Sequence, residues 1–457
     1  MLVGFSINNY KSFNATQTFS MKASKIARHK EHIIQHENYK VLKSSLIFGA
    51  NASGKSNMVH AIKTSRDIVL RGTDRVNLSK KHFRIEKETL HQPGVFEYRI
   101  IQSEVEYSYG IAVSYINKEI IGEWLIKIEK DGKEVCVFER DVDEEGISVI
   151  NCHMHYETDD ENTRMNIYLD DFRGDISDTF KKKTILSDIA QRVNNKSGVF
   201  SEITNVYEWF DNLMIIFPNT KYNGINDASM DSEKNSFFTQ MLTFFDTGIE
   251  NIEGCAEEMD FDKLFQDMPS DDAQKIKLEI ANKVIDSPII FKINQRMYIL
   301  RQDESGNIIY NKMLLDHGNS EDLFEYADES DGTKRLFDLL PLFYEKKKSS
   351  VIIIDEIDRS LHTNLTKRFL KLFYELTKAD ESQLIATTHD SNLLDLELVR
   401  QDEIWFVERQ EDHSSSIYSL NKYKERFDKK IDKEYLLGRY GAIPIFDESL
   451  VGSAAYE

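Results

Sequence analysis

Eight consecutive residues, Gly49 to Ser56 in the order GANASGKS, put two glycines, an ammonium and a hydroxyl into one short span. Such a set can hold polyphosphate. Gly49 and Gly54 let the backbone turn with its N–H groups inward, Lys55 would neutralise β- and γ-phosphates, and the Ser56 hydroxyl would ligate Mg²⁺. Asn51, Ser53 and Asn57 complete the candidate phosphate-contacting set, with Ser56 and Asn57 at the positive end of whatever helix follows. About three hundred residues downstream Asp355 and Glu356 stand side by side, and His389 follows in TTHD. An acidic pair of this kind can divide its work between holding Mg²⁺ (Asp355) and activating water as a general base (Glu356). An imidazole beside them can bond the γ-phosphate or the attacking water and register whether hydrolysis has occurred.

The flanking residues say which elements must carry these groups. Leu46, Ile47 and Phe48 make a short buried strand, and Met58, Val59, Ala61 and Ile62 open a helical pattern, so the loop joins a strand to a helix N-terminus. VIIIDE delivers Asp355 and Glu356 at the carboxyl end of a β-branched strand, where an open α/β sheet gathers its ligands. QLIATTH repeats that arrangement for His389. Upstream, ESDGTKRLFDLLPLF begins as a polar turn, with Gly332 allowing close approach, and continues as a helix buried along Leu336, Phe337, Leu340 and Phe343. Ser330, Gly332 and that helix start offer a second anion-binding surface, although taken alone the segment is a capped helix.

Length and composition bound the alternatives. A chain of 457 residues exceeds one ordinary core, which implies two or three lobes. A formal charge of −20 excludes a surface that is basic throughout but leaves room for a local cationic patch, so DNA is a possible partner without being signalled. Lys181 to Lys183 and Lys346 to Lys348 are basic runs of the sort that usually lie on solvated helix faces. Three scattered cysteines without a CxxC pair support neither a disulfide framework nor a zinc ribbon, and fit a reduced, cytoplasmic protein. No run of about 18 apolar residues occurs, so neither a membrane span nor a signal peptide is expected. His29, His32 and His36 at helical spacing, and Cys152 with His153 and His155, could hold a metal; surface histidines are the plainer reading, and no transition metal is expected.

Along the chain, Leu2 to Asn9 alternates as a strand, and Phe83 to Glu139 reads as an antiparallel sheet laid against the nucleotide-binding core. From about Asp170 to Val284 the pattern turns helical: TFKKKTILSDIAQRV, FSEITNVYEWFDNLMIIF and the Ser270-capped SDDAQKIKLEIANKVI. Strands return at IIFKINQRMYIL and NIIYNKMLLDH around an ESGN turn. The expected fold is α/β, a mixed sheet with an antiparallel β subdomain and an inserted helical domain. Its divisions are expected at 1–165 (phosphate loop and β subdomain), 166–290 (helical insertion) and 291–457 (second half of the head).

The order phosphate loop, ESDGT, IIIDE, TTH resembles the ABC-type ATPase head shared by SMC, RecF and OLD proteins, with ESDGT in the place of their signature sequence. NYKSF, GANASGKSN, DEIDRSLH, TTHDSNLLD and YLLGRYGAIP together resemble the RloA and AbiLi type of bacterial AAA-family ATPase, a group to which AriA is related. The resemblance spans both ends of the chain and thins out in the helical region. It implies a P-loop NTPase that binds ATP and Mg²⁺, with Lys55 and Ser56 on phosphate and metal, Asp355 on metal, Glu356 in catalysis and His389 as the switch. It also implies a homodimer or higher assembly in which two heads sandwich ATP, with Ser330, Gly332 and Thr333 reaching the other subunit's nucleotide. Asp331 and Thr333 depart from the usual signature, His362 from the aspartate that ends the loop after the acidic pair, and no glutamine matches well the one that couples nucleotide to insertion, Gln92 beside Pro93 being only a candidate.

The function so implied is ATP hydrolysis by the sensor or motor subunit of an anti-phage defence system, with a separate operon-encoded effector. The alternative is a RecF- or SMC-like DNA-binding ATPase of repair. An SMC arm is not written in the sequence, since the helical region lacks sustained heptads.

Overall fold

The computed structural model describes residues 1–36, 39–143, 145–152, 158–193, 198–220, 231–258, 289–293, 296–302, 308–345, 349–423 and 429–443, together with 274, 278, 425 and 426. The chain divides into two compact units, one of residues 1–218, 347–358 and 370–457, the other of 219–346 and 359–369.

The first unit holds a six-stranded sheet in the order Met214–Ile216, Val351–Ile354, Gln383–Thr387, Ser44–Phe48, Ile404–Arg409, Ser415–Ser419. Its first five strands are parallel and the last is antiparallel. Val351–Ile354, Gln383–Thr387 and Ser44–Phe48 are buried at every position, as central parallel strands covered on both faces must be. A seven-stranded antiparallel sheet runs Ser148–Asn151, Glu134–Val142, Ile120–Ile128, Val105–Val113, Gly94–Gln102, Leu2–Asn8, Gln17–Ser20. In Gly94–Gln102 the alternation buries Phe96, Tyr98 and Ile100. Helix Lys55–Arg71 turns Met58, Val59, Ala61, Ile62, Ile68 and Val69 inward, and these join residues of both sheets in one apolar cluster. Asp159–Asp170, Ile185–Arg192 and Val199–Asp211 add their apolar faces to the same core.

The second unit contains an antiparallel sheet ordered Asn251–Glu258, Ile308–Asp316, Arg296–Gln302, Ile289–Ile293. It also holds helices Ser232–Phe244, Asp331–Leu339 and Pro341–Glu345. Leu336, Phe337, Leu340 and Phe343 are all buried.

Three expectations are corrected. FSEITNVYEWFDNLMIIF is not one helix: Val199–Asp211 is helical, and Met214–Ile216 is a strand paired parallel to Ile352–Ile354. A short apolar run carries no period that separates strand from helix, and here sheet pairing decides. Asn251–Glu258, inside the stretch read as helical, is likewise a strand, held along its length by Ile308–Asp316. The units part at 218/219 rather than at 165/166 and 290/291, because the helices from 159 to 211 pack on the antiparallel sheet of the first unit. SDDAQKIKLEIANKVI lies outside the described residues apart from 274 and 278, and so do the ESGN turn, Lys346 to Lys348, His153 and His155.

Candidate functional site

The strand order creates the site. Ser44–Phe48, which leads into the phosphate loop, and Val351–Ile354, which leads into the acidic pair, are separated by one strand, Gln383–Thr387. All three are parallel, so their carboxyl ends open on one edge. There the Ser56 hydroxyl donates to Asp355 Oδ1 at 3.1 Å. The Lys55 ammonium donates to the carbonyls of Gly49 (2.7 Å) and Ala50 (3.0 Å) and lies 3.3 Å from His389 Nδ1. The other nitrogen of that ring, Nε2, is 3.7 Å from Glu356 Oε1. His389 thus stands between the Lys55 ammonium and the Glu356 carboxylate.

The loop is shaped for an anion. Gly54 has φ +115°, and a Cβ there would collide with Ser415 Oγ and reach 2.8 Å from Ser12 Oγ. Helix Lys55–Arg71 starts without a side-chain cap and without an acidic residue in its first turn, which leaves its first amides available to an external acceptor. Ser53 Oγ is buried and has no hydrogen-bond partner. These open donors, with Ser56 beside Asp355, fit a nucleotide polyphosphate and Mg²⁺.

Burial shapes the electrostatics. Lys55 is 4% exposed, and desolvation lowers its pKa to about 8 against the opposing fields of Asp355, Asp358 and Glu356. Lys11 is also lowered to about 8, by burial and then by Lys81, while Asp355 acts in the opposite sense. His60 is lowered by burial, Lys11 and Lys81, again against Asp355. Lys11 and His60 therefore both feel the field of Asp355, while burial favours the neutral form of each.

Several contributors were not singled out from sequence. Ser12 binds Asn57 Nδ2 through its hydroxyl (2.9 Å), its carbonyl accepts from Ser415 N–H (2.7 Å), and Ser415 Oγ donates to the Ser53 carbonyl (2.5 Å). The Asp358 carboxylate accepts from His389 N–H at 3.2 Å. A serine three residues after Asn9 carries no signal of its own; only its occurrence within NYKSF marked it.

Asn51 is exposed at the loop tip. Ser330, Gly332 and Thr333 lie together in the second unit, where Ser330 Oγ accepts from Thr333 N–H (3.1 Å) and bonds its hydroxyl (2.9 Å). A Cβ on Gly332 would come within 3.0 Å of the Ser360 carbonyl. Gln92 is exposed, its carbonyl held by Asn9.

Other candidates are occupied elsewhere. Lys182 pairs with Asp178 and Asp74, and Lys183 with Asp188. His29, His32 and His36 do not share a helix, since a single 3-10 turn, Lys30–His32, gives way to strand Ile33–Gln35. His32 is buried rather than superficial, bonded to Glu403 at 3.0 Å and stacked on Tyr374. His29, Glu31 and His32 are near enough to share an ion, but the two imidazoles stack on each other 23° from parallel, poorly set for one metal in both ring planes.

The sequence profile of the family described as "AAA domain, putative AbiEii toxin, Type IV TA system" matches residues 44–169 and 171–395. No curated protein matches at a significant level. Among solved structures, the SMC head domain from Thermotoga maritima is 14% identical, covering 92% of this chain and 98% of its own, with a TM-score of 0.37. An SmcHead bound to the C-winged helix domain of ScpA is 16% identical over 92% and 99%, with a TM-score of 0.41. An Smc head from Pyrococcus furiosus, bound to the C-terminal domain of ScpA, is 14% identical over 95% and 99%, with a TM-score of 0.37. No helix among the described residues is long and apolar enough to cross a membrane.

Proposed function

The chain belongs to the family of AAA domains described as putative AbiEii toxin of type IV toxin–antitoxin systems, and from that premise we propose that it binds and hydrolyses ATP. The reading is carried by one arrangement: His389 lies 3.3 Å from Lys55 Nζ and 3.7 Å from Glu356 Oε1, while Ser56 meets Asp355 at 3.1 Å. Lys55 and the first amides of its helix bind the phosphates. Ser56 and Asp355 would hold Mg²⁺, which would offset charge on the phosphate oxygens. Glu356 takes the proton of the attacking water. His389, fixed through its backbone by Asp358, bonds the γ-phosphate side and reports its loss.

The proposed role is that of sensor and motor in a bacterial defence system of the abortive-infection or restriction-linked kind, of RloA/AbiLi type, acting from the cytoplasm with a separate effector protein. The family's description as part of a toxin–antitoxin system supports a partnered role of this type. Two chains would close over two ATP molecules, with Ser330, Gly332 and Thr333 of each facing the nucleotide of the other.

Glu356→Gln tests the chemistry. It keeps the size of the side chain and removes the base, so phosphate release should fall at least about a hundredfold while ATP binding persists and the ATP-bound assembly accumulates. Unchanged phosphate release would reject Glu356 as the base. Copurification of the chain with its operon neighbour, with and without a slowly hydrolysed ATP analogue, tests the partnered role; recovery of the chain alone under both conditions would count against it.

A further inference from the structure

Thr387 ends strand Gln383–Thr387 and is buried to 1% exposure. Its side chain could be dismissed as one more β-branched residue of a parallel strand. Its bonds argue otherwise. The hydroxyl lies 2.6 Å from Asp355 Oδ1 and 2.8 Å from the backbone nitrogen of Glu356, and its carbonyl accepts from Ile357 N–H at 3.0 Å. Three successive residues of the acidic turn are thus tied to a single threonine.

The direction of these bonds follows from chemistry. A backbone N–H can only donate, so Thr387 Oγ1 must accept from Glu356. The single hydroxyl proton is then left for Asp355, whose ionised carboxylate can only accept. Glu356 has φ +52°, a left-handed conformation that a residue with a Cβ adopts at a cost, and its amide is the atom Thr387 holds. Asp355 Oδ1 also receives a second hydroxyl, that of Ser56.

We infer that Thr387 is a positioning residue for both carboxylates, setting the oxygen that Asp355 offers to Mg²⁺ and the left-handed turn that aims Glu356. This rests on the proposed nucleotide site and adds to it the residue that links the His389 strand to the acidic pair. A shift of that strand carries Asp355, Glu356 and His389 together.

The test compares Thr387→Val, which keeps the shape and deletes the hydroxyl, with Thr387→Ser, which keeps the hydroxyl. The first readout is the Mg²⁺ concentration that half-saturates binding of a slowly hydrolysed ATP analogue. Thr387→Val should raise it about tenfold and lower kcat for ATP about a hundredfold with KM within about threefold, whereas Thr387→Ser stays within about threefold on every measure. Thr387→Val with wild-type Mg²⁺ dependence, or Thr387→Ser as impaired as Thr387→Val, would overturn the inference. If the wild-type chain binds the analogue with Mg²⁺ but releases no phosphate, hydrolysis is rejected and the Mg²⁺ titration still decides Thr387. A wild-type chain without Mg²⁺-dependent binding would overturn both.

Discussion

Helices Lys55–Arg71 and Asp331–Leu339 each begin at a serine- and glycine-containing turn, yet they treat their first amides in opposite ways. The first is entered through Gly54, has no side-chain cap, and carries Lys55 where an acidic residue would ordinarily favour the helix dipole. The second is capped by Ser330 and has Asp331 in its first turn. Local rules predict the second and not the first, because a free helix gains from a cap and an acid. The second start is satisfied by its own side chain, whereas the first leaves its amides to an outside acceptor, which supports the proposal that it serves a ligand. For the second to meet a phosphate from another subunit, Ser330 must give up the Thr333 amide and Asp331 must tolerate a nearby anion.

The largest effect that would break this contrast is expected from Lys55→Ala. Removing the buried ammonium should lower ATP affinity at least about a hundredfold by equilibrium binding, since it is the cation nearest the open amides. Retention of affinity would mean the first helix start is no more a ligand site than the second. Next comes Gly54→Ala. The left-handed φ and the collision with Ser415 Oγ should cost about 2 kcal/mol or more in thermal unfolding, and nucleotide binding should fall with it.

A third effect separates the two helix starts by pH. Lys55 and Lys11 titrate near 8 in the folded chain against an ordinary value of 10.5. Between those values the unfolded chain binds more protons, so these groups make stability rise as pH increases from about 8 to 10.5. Nucleotide binding runs the other way. Phosphate favours the Lys55 ammonium, so affinity should be flat below about pH 7, decline through pH 8, and be accompanied near pH 9 by uptake of up to about one proton, measurable by calorimetry in buffers of different ionisation enthalpy. The absence of proton uptake would contradict a role for Lys55. The smallest effect belongs to the second helix: Ser330→Ala should cost about 1 kcal/mol of stability as the loss of a cap. A loss of turnover without that loss of stability would instead assign Ser330 to the nucleotide.

Much of the site was legible because its residues follow short apolar runs bounded by glycine or acidic residues, which favours strands. VIII, LIF and QLIAT are short and largely apolar; VIII leads directly to Asp355, QLIAT leads to His389, and LIF leads into the glycine-containing loop. What escaped was whatever depended on pairing. Met214–Ile216 joined a helical run in sequence because only its partner strand makes it a strand, and Asn251–Glu258 has no strong alternation to betray it. The bonds of Ser12, Ser415 and Thr387 were equally hidden, since a hydroxyl gives no periodic signal and its partners come from remote parts of the chain. Glu356 could be picked out by its neighbour, but its left-handed backbone could not.

The support of the phosphate loop by Ser12 on one side and Ser415 on the other also dictates when the pocket can exist during synthesis. Ser415, which bonds the Ser53 carbonyl, and His389, beside Lys55, are made more than three hundred residues after the loop they contact. A nascent chain therefore carries the loop unbraced through that stretch of elongation, and both of its supports are in place only once Ser415 has been made.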